Sequence, residues 1–137
     1  MSSRTPRVLW IDDDPSFFDW MKVVAEMLGP GWQFVFACGG EMGLRLLCKE
    51  GPFDLVVTDF MMPEVNGADV LHAIRSGRTN TGSCGTRPDV PVIVCTILES
   101  GAVLEKFDAH LQRPFAWETL ADQLERVIAG KSEVGDS

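Results

Sequence analysis

The sequence predicts an α/β domain built on a doubly wound, mostly parallel sheet, and three observations carry that expectation. Short continuous apolar runs alternate with segments of helical amphipathicity, Gly and Pro punctuate the junctions, and two of the apolar runs end abruptly on aspartate. Runs of about four apolar residues suit strands buried on both faces, while the 3.6-residue period suits helices that cover them. Such alternation implies right-handed crossovers, and sheets of this kind bind ligands beyond the carboxyl ends of their strands.

Val8-Leu9-Trp10-Ile11 reads as the first strand and stops at Asp12-Asp13-Asp14-Pro15. Asp14 suits a helix N-cap and Pro15 a first helical residue. Phe17, Phe18, Met21, Val24, Ala25 and Leu28 then fall along one helical face, closed by Gly29-Pro30-Gly31. Trp32 to Ala37 is a second strand and Glu41 to Glu50 a second helix, ended by Gly51-Pro52. Leu55-Val56-Val57-Thr58 is a third strand ending on Asp59, followed by a helix carrying Val70, Leu71 and Ile74 that Gly77 stops. Residues 77 to 91 are rich in Gly, Thr, Ser and Pro and read as a long loop. Val92-Ile93-Val94-Cys95 is a fourth strand ending at Thr96. A short helix near Gly101 to Phe107, a brief strand around His110 and Leu111, and a last helix with Leu120, Leu124, Val127 and Ile128 on its apolar face complete the chain.

Composition sets the outer bounds. The 137 residues are enough for one domain, with 45% hydrophobic and 23% charged residues. We divide them into an N-terminal extension (1–6), one domain (7–129) and a flexible tail (130–137). The net charge of −8 repels nucleic acid and anionic membrane surfaces. Cys38, Cys48, Cys84 and Cys95 show no CxxC spacing, the N-terminal segment lacks the apolar core of a signal peptide, and no apolar run approaches a bilayer span of about 20 residues. A cytoplasmic protein with reduced thiols is expected.

Three consecutive acids suit a solvated helix start, but Asp59 adds a second strand ending in a carboxylate at the same edge. Close carboxylates raise one another's pKa or recruit a cation, and a hard divalent ion such as Mg²⁺ takes one or two carboxylates while keeping positions for phosphate oxygens.

At these residues the chain resembles the response-regulator receiver domains of two-component signalling. Val8 to Pro15 is similar to the family's first strand and acidic pair. Asp54-Leu55-Val56-Val57-Thr58-Asp59-Phe60-Met61-Met62-Pro63-Glu64-Val65-Asn66-Gly67 is similar to its phosphoacceptor segment, and Pro91 to Thr96 to the strand that ends in a switch hydroxyl. The resemblance runs from about Arg7 to Ile128. It implies a flavodoxin-like strand order of 2-1-3-4-5 and a phosphoryl group accepted on Asp59 from a histidine kinase or phosphotransfer protein. It also implies Mg²⁺, with Mn²⁺ as a substitute, held by Asp12, Asp13, Asp59 and the backbone carbonyl of Met61. Thr96 would respond to the phosphoryl group and pass the change to an output partner that the sequence does not name.

The chain departs from the family in one half of the fold. Arg113 stands in the position of a lysine, and a planar guanidinium is not equivalent to a compact ammonium. His110 stands where an aromatic switch residue is usual. Ile97 replaces a small residue and narrows the path to Asp59, while Met61 and Leu98 offer no group to orient an attacking water. The short spacing between Thr96 and Arg113 implies a shortened fourth helix, and the loop before Pro91 is longer than usual. Two other readings stand beside this one: a receiver-like protein-interaction module with little or no phosphorylation switch, and a phosphatase of the haloacid-dehalogenase type suggested by the DxD of Asp12 to Asp14. The phosphatase would turn over a phosphoester repeatedly, whereas a receiver is labelled once and is not an enzyme acting on a separate substrate.

Overall fold

The computed structural model describes residues 5–79, 82–96, 104–113 and 115–136, with the side chains of residues 83 and 130–136 excepted. Five strands form one sheet: β1 (Arg7–Asp12), β2 (Gln33–Cys38), β3 (Leu55–Asp59), β6 (Val92–Thr96) and β7 (Ala109–Gln112). Their order is β2-β1-β3-β6-β7 and every pairing is parallel. Counted within this sheet alone, the order is the expected 2-1-3-4-5.

Among the described residues, four α-helices accompany the sheet: α1 (Pro15–Leu28), α2 (Gly40–Lys49), α3 (Gly67–Ser76) and α4 (Trp117–Asp136). Each strand alternates its side chains between two apolar layers. Val8, Trp10, Leu55, Val57, Ile93, Cys95 and Leu111 pack on one side with Phe18, Met21 and Val24 of α1 and Leu120 and Leu124 of α4. Leu9, Ile11, Val56, Val92 and Val94 pack on the other with Leu44 and Leu47 of α2 and Val70 and Ile74 of α3. Burial on both faces is why these strands are continuously apolar. Among the described residues, no helix is long and apolar enough to cross a membrane.

Local chemistry fixes the helix ends nearest the strand tips. The Asp14 side chain accepts a hydrogen bond from the Ser16 backbone N–H at 3.0 Å, and Pro15 opens α1. Asn66 and Asp69 form a reciprocal capping box at α3, with N–H to carboxamide and N–H to carboxylate distances of 2.9 and 3.0 Å.

Three features correct or extend the sequence reading. Residues 77–91 are not all loop, because β4 (Arg78–Thr79) and β5 (Gly82–Ser83) form a separate antiparallel pair. Two-residue strands carry too little alternation to show in a sequence. This segment is tied down: the Gly85 N–H donates to the Leu47 carbonyl at 2.8 Å and the Phe53 N–H donates to Thr86 Oγ1 at 3.1 Å. Helix α4 runs to Asp136, whereas the composition after Ala129 suggested a tail. Once nucleated, a helix extends at little cost per residue, and no Pro interrupts this stretch. Between β6 and β7 the expected shortened helix is described only at Leu104–Lys106, a single 3₁₀ turn. Residues 97–103, which include Ile97, Leu98 and the expected start of that helix at Gly101, lie outside the described residues.

Candidate functional site

The switch point of the sheet positions the site. From β1 the chain crosses to β2 on one side and later to β3 on the other, so the carboxyl ends of β1 and β3 lie side by side, with Ile11 opposite Thr58. The next residues in each strand are Asp12 and Asp59. One carboxylate oxygen from each of Asp12, Asp13 and Asp59 lies within 4.8 Å of the others. Asp12 is buried, Asp13 exposed and Asp59 between the two.

The loop after β3 is shaped by a glycine. The Gly67 N–H donates to the Phe60 carbonyl at 2.9 Å, and a Cβ on Gly67 would lie 2.8 Å from the Asp59 carbonyl oxygen. Any side chain there would push the strand end and the start of α3 apart. The Phe60 N–H donates to the Cys95 carbonyl at 3.2 Å, which ties the same strand end to β6. Met61, in this loop, is exposed.

Burial, followed by the negative charge of Asp12, pushes the Asp59 carboxyl up to about 6, with Arg113 opposing the rise. The three carboxylates thus gather negative charge at one point and offer oxygen ligands that could hold a cation. An all-oxygen donor set of this kind fits Mg²⁺ better than a softer metal.

Arg113 supplies the cation seen at the cluster. Its guanidinium donates to Asp12 in a charged hydrogen bond, its Nε–H donates to Cys95 Sγ at 3.1 Å, and its Cζ lies over the Phe17 ring, 4.5 Å from the centroid. The second Asp12 oxygen accepts the Asp14 N–H at 2.9 Å. Burial pushes the Cys95 thiol up to about 11, so its sulfur meets the guanidinium as a neutral acceptor.

The remaining candidates are placed around this centre. Thr96 is buried at the end of β6, and its carbonyl accepts the Arg113 N–H at 2.8 Å. His110 is exposed on β7, opposite Val94. The fold therefore brings Asp12, Asp13, Asp59 and Arg113 together, holds Thr96 beside Arg113 through the backbone, and leaves the His110 side chain in solvent. Sequence reasoning missed Cys95, taken as an ordinary thiol, and Phe17, taken as helix packing. Strand parity carried the signal for Cys95. Asp12, Cys95 and Arg113 each stand two residues beyond a residue of the α1-side layer, namely Trp10, Ile93 and Leu111.

Comparison with known proteins agrees with this geometry. Residues 8–125 match the family described as response regulator receiver domain. The transcriptional regulatory protein TrcR of Mycobacterium tuberculosis is 30% identical over 129 residues, covering 93% of this chain and 47% of that protein. This chain thus spans about half the length of that relative. The crystal structure of a response regulator receiver domain protein from Clostridium thermocellum superimposes with a TM-score of 0.77 at 24% identity, covering 94% of this chain and 98% of that one. The receiver domain of the sensor histidine kinase PA1611 from Pseudomonas aeruginosa, solved with magnesium coordinated in its active-site cleft, has a TM-score of 0.73 at 20% identity and covers 92% and 99% of the two chains. Sequence pattern, sheet order and the acidic cluster at the switch point converge on one assignment: this chain belongs to the response regulator receiver domain family of two-component signalling.

Proposed function

We propose that Asp59 is the phosphoacceptor and that Asp12, Asp13, Asp59 and the Met61 carbonyl hold a magnesium ion beside it. The observation that supports this most is the convergence of three carboxylates at the switch point of the sheet, with Arg113 at their edge. In the transfer an Asp59 oxygen attacks phosphorus, an O–P bond forms, and the bond to the donor's nitrogen or oxygen breaks with its electron pair going to the donor. The bound ion would supply positive charge against the phosphoryl oxygens.

The other steps belong to the chain itself. Gly67 keeps the strand end and the start of α3 close together, and Arg113, whose charge already acts on Asp59, would turn from Asp12 toward the phosphoryl group. Thr96 then follows, because its carbonyl is bonded to the Arg113 N–H and any shift of that segment is felt there. The donor is a histidine kinase or a phosphotransfer protein, and the output is a protein contact altered by phosphorylation. Asp59 takes part in its own labelling without turning over a separate substrate, and the fold is used inside the cell.

Incubation with acetyl phosphate and Mg²⁺ followed by intact mass spectrometry tests the reading. One phosphoryl group is expected on the chain and none on Asp59→Asn. An unlabelled wild-type chain would leave a receiver-like interaction module, in which the Arg113–Asp12 pair stays closed.

A further inference from the structure

Arg113 is held by more than its charge. The guanidinium makes three distinct contacts, an ion pair to Asp12, a hydrogen bond to the Cys95 sulfur and a stacked contact on the Phe17 ring. Phe17 is itself fixed, with ring centroids of Trp10, Trp20 and Phe115 at 5.6, 5.5 and 6.3 Å. The ring thus meets the guanidinium on one face while packing against other aromatic rings. Arg113 and Cys95 lie on the α1 side of the sheet with Asp12, so the three contacts draw the arginine toward Asp12.

Asp12 is buried and both of its oxygens are engaged, one by Arg113 and one by the Asp14 N–H. A divalent ion that uses this carboxylate meets a cation already bound to it. We propose that Phe17 and Cys95 are positioning residues that park Arg113 on Asp12 as an internal rival of the divalent cation, which must displace the guanidinium to bind. This rests on the reading of the acidic cluster as the metal site. Displacement leaves Arg113 released from Asp12 and able to turn toward a phosphoryl group on Asp59, so metal binding and readiness for the phosphoryl group are linked through one side chain. An arginine is suited to this in a way that a lysine is not, since only the planar guanidinium can stack on a ring while two of its N–H groups serve separate acceptors.

Binding of Mn²⁺ to the full chain, followed by the electron paramagnetic resonance of the free ion, provides the test without any phosphorylation readout. Phe17→Leu keeps apolar bulk but loses the ring face, and a cation–π contact of about 1 kcal/mol corresponds to Mn²⁺ binding tightened about fivefold. Phe17→Tyr keeps the face and should bind as wild type does. Cys95→Ala, a smaller change, should tighten binding by about two- to fivefold and carries the same test if Phe17→Leu does not fold. Arg113→Gln should bind more tightly than any of these. A second readout is the Arg113 Nε–H proton, shielded by the Phe17 ring in the metal-free chain and expected to lose that shielding when Mg²⁺ is added.

Unchanged affinity in both Phe17→Leu and Cys95→Ala overturns the proposal. So does equal tightening in Phe17→Leu and Phe17→Tyr, which would reflect general loosening of the site. Asp13→Asn separates the two levels of inference: if wild type and Asp13→Asn bind Mn²⁺ equally or not at all, the metal site itself is wrong.

Discussion

Replacing Asp59 with Asn should stabilise the metal-free protein at neutral pH, and the structure gives the size and the sign. Burial and the neighbouring Asp12 raise the Asp59 carboxyl from its ordinary 3.8 to about 6, so the folded chain holds a proton that the unfolded chain has already released. The stability associated with that proton is fully present below about pH 4 and is lost as pH rises through about 6. A rise of this size corresponds to about 3 kcal/mol at 1.36 kcal/mol for each tenfold change, and partial exposure of Asp59 to screening solvent reduces it to about 1 to 2. Urea unfolding of wild type and Asp59→Asn in EDTA, from pH 4 to 8, isolates the effect because other titrating groups largely cancel in the difference. The two chains should be nearly equal at pH 4, and Asn should gain its advantage between pH 4 and about 6.5. Saturating Mg²⁺ should reverse the order at pH 7, because the ion binds wild type more tightly. A stability difference that stays flat across this pH range would refute the reasoning, since it would mean that Asp59 titrates alike in the folded and unfolded chains.

Other substitutions test other parts of the site. Gly67→Ala places a Cβ 2.8 Å from the Asp59 carbonyl oxygen and should cost about 1 to 3 kcal/mol by thermal unfolding while slowing acetyl phosphate labelling. Asn66→Ala removes half of the capping box of α3 and should cost about 1 kcal/mol in urea with labelling retained. Arg113→Ala leaves the Asp12 carboxylate buried without its cation and should cost about 3 kcal/mol in EDTA, with Mg²⁺ restoring more stability than it adds to wild type. Arg113→Lys should preserve labelling and enlarge the amide NMR shifts produced by a beryllofluoride mimic, because a compact ammonium leaves Asp12 more readily.

The legible and illegible parts of this chain differ in physical kind. Strands such as Leu55–Asp59 could be read because burial on both faces makes the whole run apolar, and its abrupt end on Asp59 marks where the chain leaves the core. The acidic cluster followed from two such ends and from the rule that a switch point sets them side by side. The β4–β5 pair escaped because two residues per strand hold no period, and the anchors of this segment, the Gly85 N–H on the Leu47 carbonyl and the Thr86 hydroxyl under the Phe53 N–H, each engage a main-chain group and leave no pattern in composition.

Arg113 stands between these cases. Its place beside the site was what the resemblance implies, since it stands in the position of the family's lysine, but its engagement with Asp12 depends on three residues from α1, β1 and β6 meeting on one side of the sheet. Counting alternation outward from Trp10, Ile93 and Leu111 places Asp12, Cys95 and Arg113 on that side, and the same count assigns Thr96 and His110 to the other. Parity thus divides the site in two. On the α1 side a cation is already fixed to a buried carboxylate. On the opposite side Thr96 is buried while His110, its predicted partner in switching, lies in solvent. The backbone bond from the Arg113 N–H to the Thr96 carbonyl joins the residues that carry these halves, in the plane of the sheet. Under the proposed function, a shift of the Arg113 main chain would reach Thr96 through this bond, whatever His110 does.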